Sequence, residues 1–169
     1  MPSLSDKKEH IVYNKRRNER SGNNMMEVQQ YMLDKIRDFK AKVCNPEAHL
    51  NNMASCDKEF KKMWKRDKES IDYAGITTNE KVMDYVQGFD GSVYFVENHV
   101  KRGHIEDAYN MYESLYKALT ALFKMAQNMD NPYCEFKEIS IQEVDEIFNK
   151  LEAVVQRMEN ANMRRAMQD

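Results

Sequence analysis

Residues 105–126 read IEDAYNMYESLYKALTALFKMA, and the apolar side chains in this stretch recur every three or four positions. This spacing is the period of an α-helix that buries one face. The stretch therefore predicts a long amphipathic helix that packs against other helices. The positions that share the spacing are Ile105, Ala108, Tyr112, Leu115, Leu119, Leu122 and Ala126.

The same period runs through most of the remaining chain. Five glycines and three prolines among 169 residues are too few for a many-stranded β fold, which needs frequent turns. Helix boundaries are predicted by Asn45-Pro46, by capping boxes at Thr77–Glu80 and Ser140–Glu143, and by Gly103. Gly88 and Gly91 indicate a kink or a close helix crossing in the third predicted helix. The sequence predicts an all-α fold, an antiparallel helical bundle of about five helices.

Residues 1–23 lack the apolar period and carry six cations against three anions. The remaining residues carry an excess of five anions, so the overall charge of −2 hides a basic N-terminal segment. We expect a flexible basic arm over residues 1–23 and one helical-bundle domain over residues 24–169.

The residues that carry chemistry are scattered. The four histidines, His10, His49, His99 and His104, show no Glu-x-x-His pair for a di-iron site and no zinc-ligand spacing. The three cysteines form no C-x-x-C pair, and the glycines form no phosphate-binding loop. The sequence therefore predicts no catalytic residue, metal, cofactor or small-molecule substrate. Without an evident signal peptide or apolar span, we expect a cytoplasmic protein that does not bind membranes.

Cations mark one face of the second predicted helix and the N-terminal arm. A face of this kind suits phosphate groups or an acidic protein, but interleaved acids are equally typical of a solvated helix. The helix residues are Lys58, Lys61, Lys62, Lys65 and Lys68, and the arm residues are Lys15, Arg16, Arg17 and Arg20. Nucleic-acid binding through these residues is one hypothesis, and a solubilising surface is the alternative.

Three tyrosines, Tyr109, Tyr112 and Tyr116, line adjoining faces of the fourth predicted helix. They are expected either to anchor a protein interface or to fill the bundle core. A homodimer interface through Val154 and Met158, together with Met32, is a further expectation from the apolar stripes.

Three short segments carry a family resemblance. Thr78-x-Glu80-Lys81-Val82, then residues 89–92 (FDGS), then residues 103–108 (GHIEDA), resemble the start of flagellin-type export chaperones. The resemblance covers residues 77–126, and two additional helices and an arm precede it here. It implies a small helical bundle that holds a secreted subunit's terminal helix in an apolar groove.

Three functions follow as hypotheses. The first is a non-enzymatic interaction or adaptor protein, regulatory or assembly-related, that binds a protein partner or itself as a homo-oligomer. The second is nucleic-acid binding through the arm and the lysine face. The third is an export chaperone that holds a client's amphipathic helix between the third and fourth predicted helices.

Overall fold

A computed structural model describes residues 21–99 and 101–168 of the chain. Within these ranges the chain forms six α-helices, a short 3-10 turn at Tyr73–Gly75 and no strand. The predicted all-α helical bundle is confirmed. The helices are α1 (Ser21–Lys42), α2 (Pro46–Cys56), α3 (Lys58–Ser70), α4 (Asn79–Asn98), α5 (His104–Asn128) and α6 (Ile141–Gln168).

The bundle is built around α5, which packs against α1, α2, α4 and α6. Its inner positions, such as Leu115, Leu119 and Leu122, are fully buried. These are positions of the apolar stripe read from the sequence, so α5 supplies the common wall of the core. Burying such a stripe against several neighbours is the main source of stability for a helix of this kind.

The helix directions follow from contacts between their ends. The Gln29 side chain of α1 donates to the carbonyl oxygen of Ala126 near the end of α5, at 2.9 Å. At the opposite end, Arg165 of α6 donates to the carbonyl oxygen of Val96 on α4, at 2.5 Å. Helix α5 therefore runs antiparallel to α1, α4 and α6. The other three are parallel to one another, because α2 and α3 return the chain between α1 and α4.

Polar contacts hold α1 and α4 onto α6. The hydroxyl of Tyr31 on α1 donates to Oδ1 of Asp145 on α6, at 2.5 Å. Arg157 of α6 forms ion pairs with Asp90 at 2.6 Å and with Glu97 at 2.7 Å, both on α4. The hydrogen bonds that Arg157 donates to Glu97 and Asp90 raise its pKa above the ordinary value.

The predicted cap at Ser140 is present in full. The Ser140 hydroxyl accepts from the Glu143 amide, and the Glu143 carboxylate accepts from the Ser140 amide, both at 3.1 Å. The other predicted box is displaced by one residue. The residue that caps α4 is Thr78, whose hydroxyl accepts from the Lys81 amide at 3.1 Å. Thr77 instead accepts a hydrogen bond from the Glu135 amide through its carbonyl oxygen.

One other boundary prediction is wrong. The second predicted helix is divided at Asp57, whose extended backbone ends α2 while its side chain caps α3 by accepting from Glu59 and Phe60. Gly88 and Gly91 lie inside the third predicted helix as expected, but α4 is unbroken there, and an added Cβ would meet no heavy atom within 4 Å at either position. Helix α1 begins at Ser21, within the last residues assigned to the predicted arm, and residues 1–20 lie outside the described ranges.

Two apolar clusters form beneath these helices. The larger one joins α1, α4, α5 and α6. The smaller one lies on the other flank of α5, where Leu50 and Ala54 of α2 and Trp64 of α3 enclose Tyr109. The α2–α3 pair is therefore a second layer on one side of the bundle, and it places the face of α3 opposite Trp64 toward solvent.

Candidate interaction surfaces

Helices α2 and α3 cover the tyrosines of α5 with aromatic side chains. The His49 ring stacks on Tyr112 with 3.7 Å between ring centroids, and burial lowers the pKa of His49. The edge of Trp64 contacts Tyr116, at a centroid distance of 5.1 Å. Tyr109 is fully buried, and Tyr112 and Tyr116 are half-buried. Tyr109 therefore lies in the core, and Tyr112 and Tyr116 pack against the same cluster with part of each side chain exposed.

A carboxyl pair joins α3 to α5 beside this cluster. The Tyr109 hydroxyl donates to Oδ2 of Asp67 at 3.0 Å, and Lys117 lies 2.8 Å from Glu113. Burial, together with the hydrogen bond to Asp67, raises the pKa of Glu113. Burial alone would also raise the pKa of Asp67, but hydrogen bonds from Glu113, Tyr109 and Arg66 lower it. Of the two carboxyl groups, the environment of Glu113 favours its protonated form and that of Asp67 favours its charged form.

The lysines predicted to share one face divide into two groups. Lys68 pairs with Glu47 and so ties α3 to α2. The other four are exposed, and none forms an ion pair with any residue of the described ranges. These four, Lys58, Lys61, Lys62 and Lys65, are called the lysine face below.

The interleaved acids of this helix are not all available to neutralise the lysine face. The Asp57 carboxylate caps α3, and the Asp67 carboxylate contacts Tyr109 and Arg66. Glu59 and Glu69 are the two that remain exposed without an ion pair to the described residues. The solvated-helix alternative assumes that the acids of this helix balance its lysines. Because Asp57 and Asp67 make other contacts, only Glu59 and Glu69 are left for this role in α3.

A second surface lies where α4 ends, α5 begins and α6 ends. Five large apolar side chains are exposed on these helix ends, and we call this group of residues the apolar end. Its members, with their exposed fractions, are Tyr94 (60%), Phe95 (40%), Ile105 (52%), Met163 (64%) and Met167 (84%). Met163 and Met167 lie on the side of α6 away from Arg165, which contacts α4 and α5.

Charged side chains form ion pairs beneath the apolar end. Asp107, almost fully buried at the start of α5, pairs with Arg102 at 3.2 Å and with Arg165 at 3.4 Å. Arg102 also lies over the Phe95 ring, with 4.8 Å from its guanidinium carbon to the ring centroid. The His99 ring meets the same phenyl ring at 4.1 Å between centroids. These contacts hold the ends of three helices in fixed positions.

The sequence patterns did not predict the apolar end. Ile105 was expected in the core as the first position of the α5 stripe, but 52% of its side chain is exposed. Tyr94 and Phe95 lie on α4 off the buried stripe. Large apolar residues that depart from the helical period were the one signal that could have identified this surface.

The predicted homodimer residues are wrong for this fold. Val154 and Met158 of α6 are buried, and so is Met32 of α1. Their stripes face the shared core of the same chain, so these side chains are not available to a second copy. The predicted arm contacts, Lys15, Arg16, Arg17 and Arg20, lie outside the described residues.

Other candidate chemistry stays dispersed over the described ranges. In residues 21–99 and 101–168, no group of three or more His, Cys, Asp or Glu side chains is arranged to hold a metal ion. Among the helices of these ranges, none has both the length and the apolar character needed to cross a membrane. Cys44 and Cys56 are exposed free thiols, and Cys134 is half-buried.

Comparisons of the chain with protein-family models, with curated proteins and with solved structures find no match. The resemblance of residues 77–126 to flagellin-type export chaperones therefore stays a prediction. Those residues include α4 and α5, whose Ser92 and Ser114 hydroxyls lie 2.6 Å apart. A client helix between α4 and α5 would have to separate them at this point.

Proposed function

We propose that this chain is a non-enzymatic interaction protein, with an adaptor or assembly role, that binds a protein partner through the apolar end. The observation that carries the proposal is that most of the exposed large apolar side chains lie on the helix ends in this part of the bundle. Eight large apolar side chains are exposed in the described part of the chain, and five of them lie at the apolar end. Single exposed apolar residues are ordinary, whereas a group at one place is typical of a binding surface.

The composition of the apolar end agrees with this proposal. Tyrosine, phenylalanine, methionine and arginine are the residues that protein interfaces favour. Tyr94, Phe95, Met163 and Met167 supply the first three, and Arg102 flanks Phe95. Thioethers adapt to different apolar shapes, so Met163 and Met167 suit a surface that adjusts to its partner.

The network beneath the surface favours binding for a second reason. Arg165 donates to the carbonyl oxygens of Val96 and His99 while pairing with Asp107, so α4, α5 and α6 are joined at this end. A surface that is already ordered loses less conformational entropy when a partner binds. The partner therefore meets a preformed patch and does not have to order it.

The charges around the apolar end indicate a partner other than a second copy. Arg164 is exposed without an ion pair to the described residues, and Arg102 keeps about one-third of its side chain exposed while it pairs with Asp107 and Glu106. A two-fold dimer would bring each unpaired Arg164 toward the same surface of the second copy, where the five residues of the apolar end supply no acid for it. A partner with an apolar centre and an acidic rim fits better.

The test is affinity capture from the native host with three forms of the full chain. One variant combines Tyr94→Ser, Ile105→Thr, Met163→Gln and Met167→Gln. The matched control changes exposed apolar residues elsewhere, Met26→Gln and Tyr133→Ser. We expect a partner that the original chain and the control recover equally and that the first variant recovers about tenfold less, which corresponds to about 1.4 kcal/mol.

Purified partner and chain are then mixed to confirm direct binding, and circular dichroism confirms that the variants remain helical. Equal recovery by all three forms contradicts the proposal. Light scattering decides the homo-oligomer alternative. A concentration-dependent dimer that the four-residue variant abolishes would replace the foreign partner by a second copy of the chain.

A further inference from the structure

We infer that the lysine face of α3 docks on the phosphate backbone of a nucleic-acid duplex. This function goes beyond the binding of a protein partner and uses none of the residues of the apolar end. It rests on charge, on the rigidity of α3 and on the kinds of side chain that the face lacks.

The lysines outnumber the exposed acids of α3, which are Glu59 and Glu69. Lys58, Lys61, Lys62 and Lys65 are exposed within two turns of one helix, without ion pairs to the described residues. Most arginines of the described ranges, and several lysines, are paired, as Lys42 is with Glu152 and Arg157 is with Glu97. Lysines that neutralise phosphates displace the cations condensed on the nucleic acid, and the release of these cations is a main driving force for phosphate contacts.

The lysine face is held in a fixed orientation. The opposite side of α3 is anchored by buried Trp64, whose indole N–H donates to Oδ1 of Asn51 at 2.9 Å. Tyr109 holds Asp67, and Lys68 pairs with Glu47. Each turn of α3 is therefore fastened to α2 or to α5, and the four lysines project from a rigid helix.

The length of the face suits a duplex. Residues 58–65 span about 10 Å along a helix that rises 1.5 Å per residue. Phosphates along one strand of a duplex advance about 3.4 Å per base pair along its axis, so the face reaches about three phosphates. Lysine ammonium groups on flexible stems tolerate small differences in the distances between phosphates.

The lysine face lacks the apolar side chains that an acidic protein or a lipid surface would contact. None of the exposed large apolar residues of the described ranges lies on α3. Protein interfaces have an apolar centre and are depleted of lysine, so an acidic protein is a poorer fit. A helix that lies on a lipid surface needs an apolar face toward the lipid, and here that face, with Trp64, is buried in the protein.

The lysine face also lacks exposed aromatic side chains, which favours a duplex over a single strand as its partner. Single-strand binding surfaces stack the bases on aromatic side chains. The aromatic residues of α3 are Phe60 and Trp64, and both pack inward against tyrosines of α5. What remains on the outer side of α3 is a row of four lysines with two exposed acids, Glu59 and Glu69, and no side chain suited to reading bases. Binding is therefore expected to be independent of sequence and strongly dependent on salt.

The test measures binding of the full chain to a short mixed-sequence DNA duplex at about 50 mM and about 200 mM monovalent salt. One variant combines Lys61→Gln, Lys62→Gln and Lys65→Gln. A matched control combines Lys81→Gln, Lys124→Gln and Lys150→Gln, which removes the same charge from three other helices without breaking an ion pair among the described residues. A third variant replaces the same three lysines of α3 with arginine.

We expect the glutamine variant of α3 to bind at least about tenfold more weakly at the lower salt concentration, with a salt slope smaller by about 2 to 3. The matched control should stay within about twofold of the original chain, and the arginine variant should retain binding, because both preserve the phosphate contacts of α3. Thermal melting of each variant, followed by circular dichroism, shows that folding is unchanged.

Several results overturn the inference. One is an equal loss in the control variant, which would assign binding to net charge alone. Another is a loss caused by glutamine at Lys15, Arg16, Arg17 and Arg20 with no effect of the α3 variant. Tighter binding to a single strand, to phosphatidylserine vesicles or to polyglutamate would assign the face to a different partner. None of these results affects the capture experiment at the apolar end, since the two sets of variants share no residue.

Discussion

The phenolic hydroxyl of Tyr109 on α5 donates a hydrogen bond of 3.0 Å to Oδ2 of Asp67 on α3. Tyr109 is fully buried, and α2 and α3 enclose its ring. This one contact joins the small apolar cluster to the helix that carries the lysine face. It also holds the Asp67 carboxylate on the side of α3 opposite the lysine face, so the packing of the interior fixes the position of this charge.

Tyr109→Phe is expected to destabilise the chain by about 1 to 2 kcal/mol, because it removes the donor and leaves a partly buried carboxylate with fewer partners. Chemical denaturation at neutral pH measures the free energy of unfolding. Tyr133→Phe is the matched control, because Tyr133 is almost fully exposed. A Tyr109→Phe variant that unfolds at the same denaturant concentration as the original chain would show that this hydrogen bond contributes little.

The stability of the α3–α5 contact is expected to depend on pH through Glu113. Its pKa in the folded chain lies above the ordinary value, through burial and the hydrogen bond to Asp67. The stability it contributes is therefore complete below its ordinary pKa and is lost as the pH rises through the raised pKa. Asp67, with a lowered pKa, has the opposite dependence and loses its contribution as the pH falls through that lowered pKa.

Glu113→Gln removes the first of these titrations. We compare the free energy of unfolding of the original chain with that of this variant. The advantage of the original chain should be smallest at neutral pH and should grow as the pH falls toward about 4.5, the ordinary pKa of Glu113. Urea titrations across this pH range measure the difference. A difference that does not change with pH would mean that Glu113 titrates alike in the folded and unfolded states.

Arg157→Ala is expected to destabilise the bundle by about 1 to 2 kcal/mol, since it leaves Asp90 and Glu97 of α4 without their cation. The side chains are partly exposed, so the loss should shrink at high salt. Arg37→Ala is the control, because Arg37 pairs with exposed acids of its own helix. Chemical denaturation at low and high salt measures the loss of stability in each variant. Equal losses for Arg157→Ala and Arg37→Ala would count against a contribution from the ion pairs of Arg157 with α4.

Met158→Ala is expected to destabilise the fold by about 2 to 4 kcal/mol, because it opens a cavity in the core between α6 and its neighbours. If Met158 lies in the core of one chain, the change in stability is the same at every protein concentration. Thermal melting over a wide concentration range measures this. A loss that appears only at concentrations where a dimer forms would restore the interface that the sequence suggested.

Gly88→Ala is expected to stabilise the chain by about 0.5 to 1 kcal/mol, since alanine favours the helix and the added Cβ meets no heavy atom within 4 Å. Gly103→Ala should do the reverse, because Gly103 has φ of +138°, a conformation that side chains rarely adopt. Melting temperatures of the two variants test the contrast. Destabilisation by Gly88→Ala would mean that this turn of α4 approaches another element more closely than the structure shows.

Much of the fold follows from the sequence, because helical periodicity is a local property. The stripe of α5 predicted Leu115, Leu119 and Leu122 as core residues, and all three are buried. The Ser140–Glu143 box predicted the start of α6 for the same reason, since a cap involves four consecutive residues. The break at Asp57 was missed, because its apolar neighbours fit one continuous period.

The sequence by itself determined that the chain is all-α and which faces of its helices turn inward, since both depend on spacing along a few turns. The tertiary structure alone decided which outward residues are free. Lys68 is taken up by Glu47, Tyr109 is covered by α2 and α3, and Ile105 is left bare at the end of the bundle. Coverage and pairing join residues that are far apart in the chain, and no local pattern records which distant segment will lie against a given face.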